Sequence, residues 1–150
     1  MQIAVEERKW ALGVLARADA EALSALWEAW PSKPGYTWLR KPESGLVMVR
    51  GRMGGEGVPF NLGEMTVTRC ALRLKDGTQG HACVQGRSAA KAEVSALVDA
   101  LHQRSEDHEA VRREILLPLE RSLEASRATA AAETAASRVE FFTMARGDNE

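Results

Sequence analysis

The chain has 150 residues, 45% of them hydrophobic, and a net charge of −1, which suits one domain around one core. That balance excludes the overall basic signature of a nucleic-acid-binding protein. No apolar run approaches the roughly 20 residues needed to span a bilayer. The first residues carry Glu6 and Glu7 in place of a basic start and an apolar run, so no signal peptide is expected and the location is read as cytoplasmic.

In chain order, residues 3–17 read as a helix with Trp10, Val14 and Leu15 on one face. Asp19 is placed to N-cap a second helix, which buries Leu23, Leu26, Trp27 and Trp30 and ends at Pro31. The two suggest an N-terminal helical hairpin. Residues 36–41 then read as a strand, Pro42-Glu43-Ser44-Gly45 as a turn and residues 46–53 as a second strand. Leu46, Val47, Met48 and Val49 make both faces of that strand apolar, the pattern of a strand covered on both sides. A glycine-rich loop leads into a third strand, residues 64–74.

Asp76-Gly77 between two alternating segments signals a two-residue hairpin to a fourth strand. Such a turn sets Leu72 opposite His81, Ala71 opposite Ala82, Arg73 opposite Gly80 and Cys70 opposite Cys83, the last as a close pair of reduced thiols. Cys70, Leu72 and Leu74 would face the core. Arg69 and Arg73 would share the other face with Ala71, Gly80 and Ala82, leaving it flat and basic.

Ser88 can N-cap a third helix over residues 89–103, with Ala90, Val94, Leu97, Val98 and Leu101 as its stripe. A fourth helix starts near Asp107 and keeps its apolar spacing through Pro118, where a kink or break is expected. Residues 119–137 are alanine-rich and helix-prone, with few large apolar groups, as in an exposed arm or a helix awaiting a partner. The tail beyond Arg138 gathers Val139, Phe141, Phe142 and Met144, then Arg146, which suits folding back or docking on another chain. The expected class is α+β in one domain: helical hairpin (1–35), antiparallel sheet of about four strands (36–87), helices (88–137) and an apolar tail (138–150).

Charge is unevenly spread. Residues 36–87 carry eight basic and four acidic side chains, so the sheet region is at +4 and the remainder at −5. A basic sheet suits an anionic ligand or an acidic partner, or is a solvated face. Gly54, Gly55 and Gly57 could cradle phosphate through backbone amides, with Arg52 and Arg69 on either side and Arg87 after the last strand. The loop lacks the Lys-Ser/Thr end of a P-loop, and a structural bend is the simpler reading. His81, His102 and His108 lack metal spacing, because His102 and His108 stand six apart. Glu93 and Asp99 read as the polar face of a helix. No catalytic nucleophile, metal set or bound cofactor is expected in this chain alone.

Taken together, several stretches resemble the PhnG family, the G subunit of the carbon–phosphorus lyase core complex, a subunit of alpha-D-ribose 1-methylphosphonate 5-triphosphate synthase. They are Gly45-Leu46-Val47, Arg52-Met53-Gly54-Gly55 with Gly57, Phe60 with Gly63, Thr68-Arg69, Arg73-Leu74, Asp76-Gly77-Thr78 and Val84-Gln85-Gly86-Arg87. The resemblance continues through Ala96-Leu97-Val98-Asp99-Ala100-Leu101 and is most distinctive in Ser137-Arg138-Val139, Phe141-Phe142-Thr143-Met144 and Arg146-Gly147-Asp148-Asn149. It implies a subunit that is inactive alone and assembles with H, I and J subunits, I being the expected direct contact. It implies work on ATP and a phosphonate, in which methylphosphonate displaces adenine. The I subunit would carry that transfer, and the J subunit the later radical cleavage with an iron–sulfur cluster. Partner-binding candidates are then Arg73, Arg138, Val139, Phe141, Phe142, Met144 and Arg146. The anion-binding candidates are Arg52, Gly54, Gly55, Gly57, Arg69 and Arg87.

Overall fold

A computed structural model describes residues 3–138. Two helices, α1 (Val5–Arg17) and α2 (Ala20–Ala29), precede three strands, β1 (Tyr36–Arg52), β2 (Pro59–Leu74) and β3 (Gln79–Gln85). Then come α3 (Ala89–His102), α4 (His108–Val111), a π-helical turn (Arg112–Leu116) and α5 (Leu117–Ala136). The class is α+β, as the sequence patterns predict.

The helix ends follow elementary capping chemistry. The Asp19 carboxylate accepts from the Ala22 N–H at 3.0 Å and opens α2, and Ser88 accepts from the Lys91 N–H at 3.1 Å and opens α3. Both α1 and α2 pack against α3, which in turn lies over β2 and β3. Val14, Leu15, Leu23, Trp27 and Trp30 meet Leu72, Val84, Val98 and Leu101 in one core. Gly80 is where helix and sheet come closest: a Cβ there would lie 1.9 Å from the Ala96 carbonyl oxygen, so only glycine fits.

The sheet is antiparallel in the order β1-β2-β3, with three strands rather than about four. Pro42-Glu43-Ser44-Gly45 is no turn. It is an irregularity within one long strand, with register shifts between Trp38 and Arg40 and between Arg40 and Glu43. A bulge absorbs Pro42, which has no N–H to give the ladder, without reversing the chain.

The hairpin register also differs by one residue from the two-residue turn. Gly77 N–H donates to the Leu74 carbonyl (3.0 Å), Leu74 N–H donates to Thr78 (2.9 Å), and Gly77 takes φ of 93°. This is a three-residue loop, Lys75-Asp76-Gly77, held by the Asp76 carboxylate accepting from the Thr78 N–H at 2.9 Å. Leu72 therefore faces Gly80, Ala71 faces His81, Cys70 faces Ala82 and Cys83 faces Arg69. A one-residue slip moves every side chain of the partner strand to the other face. Cys70 is buried and Cys83 exposed, on opposite faces, and the two thiols do not pair. Cys70, Leu72 and Leu74 do face the core, while Gly80 and Ala82 join them there instead of lying beside the arginines.

α4, the π turn and α5 run on without a break. The expected kink at Pro118 is replaced by the wide turn directly before it, which accommodates a residue that has no N–H and crowds the preceding turn. Past Leu119 and the half-buried Leu123, α5 is exposed, as its composition predicts. None of the described helices is long and apolar enough to cross a membrane.

Candidate functional site: an uncovered ribbon and a basic sheet face

β3 pairs with β2 only from Val67 to Arg73. Beyond that, β1 and β2 continue alone as a two-stranded ribbon from the Leu46–Thr66 pair out to the Arg52–Pro59 pair. Leu46, Met48 and Leu62 are each more than 60% exposed there, and Met53 and Val58 at the tip exceed 70%. The apolar run at residues 46–49 is thus not covered on both sides by described elements of this chain. An isolated two-stranded ribbon has no core of its own to hold it, and five large apolar side chains exposed on one such element are what a partner-binding surface would show.

The tip is a tight bend. Gly54 and Gly55 take φ of 61° and 82°, which side chains other than glycine rarely adopt. The Gly57 N–H donates to the Met53 carbonyl at 2.9 Å, so that amide is engaged within the turn and is not available to a phosphate. Arg50, Arg52 and Pro59 line a shallow cleft beside it.

The arginines singled out by sequence do not converge. Arg52 pairs with Pro59, and Arg69 lies ten positions further along β2 (59 to 69), roughly 30 Å of extended strand. Arg52 and Arg69 therefore cannot clasp one triphosphate within this chain. Arg69 and Arg73 lie exposed on the sheet face turned away from α3. Arg69 lines a cleft of about 430 Å³ with Arg40, His81 and Cys83, and Arg40 there pairs with Glu43 at 3.0 Å. Arg87 is exposed in the turn between β3 and α3. That turn is fixed by Thr68, whose hydroxyl donates to the Gly86 carbonyl (2.8 Å) and accepts from the Ser88 N–H (3.1 Å). Arg138 is exposed just past α5. Val139, Phe141, Phe142, Met144 and Arg146 lie outside the described residues.

Two polar clusters escaped the sequence patterns. Asp99 is fully buried rather than on a polar helix face. It takes two hydrogen bonds from Arg8 (3.1 and 2.8 Å), and its Oδ2 also accepts from the His81 N–H at 2.9 Å. It thereby ties α1, α3 and the free edge of β3 together, and the bond from Arg8 to the carboxylate raises the guanidinium pKa. The signal was present: Asp99 continues the small-residue stripe Ala92, Ser95, Ala96, which marks close approach of another element. Glu93 is half-buried and accepts from the Tyr36 hydroxyl; burial, then this bond, pushes the phenol up to about 12.

The second cluster joins α1, the end of α3 and the start of α4. Glu7, His102 and His108 place their donor atoms within 4.8 Å of one another. A loop of five residues between α3 and α4 doubles back, so two histidines six apart stack at 4.5 Å with rings 17° from parallel. Helical spacing alone could not show this. Burial, then the neighbouring His108, lowers the His102 pKa. These three side chains are the ones described here that could hold a metal.

The sequence profile of the family described as phosphonate metabolism protein PhnG matches residues 6–147. The chain belongs to the PhnG family. The alpha-D-ribose 1-methylphosphonate 5-triphosphate synthase subunit PhnG of Rhizobium meliloti (strain 1021) is 45% identical over 145 residues, covering 97% of this chain and 92% of the relative. PhnG character thus extends over nearly the whole chain, through the ribbon, the arm and the tail. It is not confined to one motif.

Proposed function

We propose that this PhnG chain is a supporting subunit of an alpha-D-ribose 1-methylphosphonate 5-triphosphate synthase, assembling with H, I and J subunits and inactive by itself. In that assembly methylphosphonate displaces adenine from ATP, with the transfer carried by the I subunit. The observation that carries the reading is the uncovered apolar ribbon, in a chain so similar to a named synthase subunit. A ribbon of this kind is a poor element for a solitary enzyme and a good one for a heteromeric interface. The exposed α5 arm and the apolar tail sequence add surface for the I subunit.

The test is co-expression with H, I and J followed by size-exclusion chromatography and an ATP-dependent adenine-release assay. The triple variant Leu46→Asp, Met48→Asp, Phe60→Asp is expected to fall out of the complex while remaining folded. A variant that co-elutes as wild type removes the ribbon from the interface.

A second reading gives the chain a direct part in anion binding. The cleft that Arg69 shares with Arg40 and His81 favours it, because guanidinium groups match phosphate and phosphonate oxygens. Arg52 and Arg87 would each act separately, completing sites built mainly by a partner. In an intact complex, Arg69→Ala should then lower adenine release at least tenfold. Unchanged turnover with each of Arg52, Arg69 and Arg87 replaced by Ala ends this reading.

A further inference from the structure

His102 is 0% exposed, and neither of its ring nitrogens has a hydrogen-bond partner among the described residues. A buried imidazole left without partners is costly, because both nitrogens have given up water. Its Nε2 points at Glu7 Oε1, 3.8 Å away, and the His108 Nε2 reaches the same oxygen at 3.2 Å. His108 is already oriented: its Nδ1 lies 2.7 Å from the His102 backbone carbonyl, a contact only an Nδ1–H can make. Neutral His108 therefore turns an Nε2 lone pair, not a proton, toward the Glu7 carboxylate. Two lone-pair donors facing each other need a proton or a cation between them.

The geometry points to a divalent-metal site formed by Glu7, His102 and His108, three ligands from three helices. Two imidazoles and one carboxylate form a donor set suited to zinc or a similar borderline ion. Donors on one tetrahedral zinc stand about 3.3 Å apart, given metal–donor lengths of about 2.0–2.1 Å; His108 meets this spacing to Glu7 at 3.2 Å, whereas His102, at 3.8 Å, and the pair of histidines, within 4.8 Å, draw together as the ion binds. The His108 Nδ1–H to carbonyl bond is the outer-shell contact that ligating histidines characteristically make. Solvent supplies the remaining position, since Glu7 and His108 open on a cleft of about 550 Å³ that Trp10 and Glu120 also line. Other charges bear on the site. Arg112 lies 3.6 Å from Glu7 Oε1 and competes with a cation, while Glu109 is 4.0 Å from the His108 Nε2 and favours one. Asp99 acts in the same direction on His102.

The test uses the untagged full-length chain, stripped with a chelator. Zn²⁺ is titrated by calorimetry, and Co²⁺ is followed by its visible absorption. The expected result is one equivalent of Zn²⁺ and a tetrahedral-type Co²⁺ spectrum that Zn²⁺ displaces. Glu7→Gln and His108→Gln should each weaken binding by more than about tenfold, at least what the loss of an outer-shell partner does. His81→Gln should leave it unchanged, and Arg112→Gln should tighten it. Glu7 is one-third exposed, so Glu7→Gln decides the matter even if a histidine variant unfolds. Absence of a stoichiometric site overturns the assignment. So does binding that survives in the Glu7→Gln, His108→Gln double variant, since the ion would then be held elsewhere.

Discussion

At the scale of single residues, burial decides behaviour that residue type leaves open. Cys70 lies in the core with its thiol against the Ala92 carbonyl at 3.2 Å, whereas Cys83 is exposed. Burial, then the nearby Glu93, pushes the Cys70 thiol up from 9.0 to about 11. A thiol-reactive dye at neutral pH should label Cys83 rapidly and Cys70 only on unfolding. The sign of the stability effect follows. The folded-state pKa is raised, so the contribution of Cys70 is fully present below about pH 9 and is lost as pH rises through about 11. The stability difference between wild type and Cys70→Ala should therefore shift across that window and be flat below it, measured by urea melts. Asp99 is the other decisive residue. Replacing it by Ala strands Arg8 and the His81 N–H at once, and should cost about 3 kcal/mol in denaturant midpoint analysis. Arg8→Ala should cost at least as much, because it leaves the buried Asp99 carboxylate with neutral donors and no cation.

At the scale of elements, the β1–β2 ribbon, like the far half of α5, does not contribute to the core. Replacing Leu46, Met48 or Phe60 by Asp should in each case change the stability of the isolated chain by no more than about 0.5 kcal/mol, the range of ordinary surface substitutions, or about 1.5 kcal/mol for the triple variant. The same triple variant is expected to lose its partners, so thermal melts and co-elution together separate an interface role from a folding role. The β2–β3 hairpin shows how a small local choice propagates. Asp76-Gly77 reads equally as the centre of a two-residue turn or the end of a three-residue loop. The loop, fixed by the Asp76 to Thr78 bond, turns His81 and Cys83 outward and Gly80 inward. Gly80 inward is what lets α3 pack so close to the sheet.

At the scale of the whole molecule, the described helices bury one face of the three-stranded sheet and leave the ribbon, the basic face and most of α5 outside. Such a distribution suits the proposed assembly with partner subunits. Under the proposed assembly with H, I and J subunits, deleting residues 139–150 should abolish co-purification while the remaining chain keeps its helical circular dichroism. A truncated chain that co-purifies normally would show the tail to be dispensable.

Much of this protein was legible in the sequence. The capping residues Asp19 and Ser88, the apolar stripes of the helices, the exposed alanine-rich arm and the family resemblance all rest on local patterns, and local patterns survive without knowledge of contacts. Pro42 and the Asp76-Gly77 pair misled, because a proline fits a bulge as well as a turn and one glycine serves two loop lengths. Only the tertiary structure could separate Arg52 from Arg69, bury Asp99, or bring Glu7, His102 and His108 together. Those outcomes depend on which elements meet, and a meeting between α1 and the loop after α3 spans about a hundred residues of sequence that no periodicity crosses.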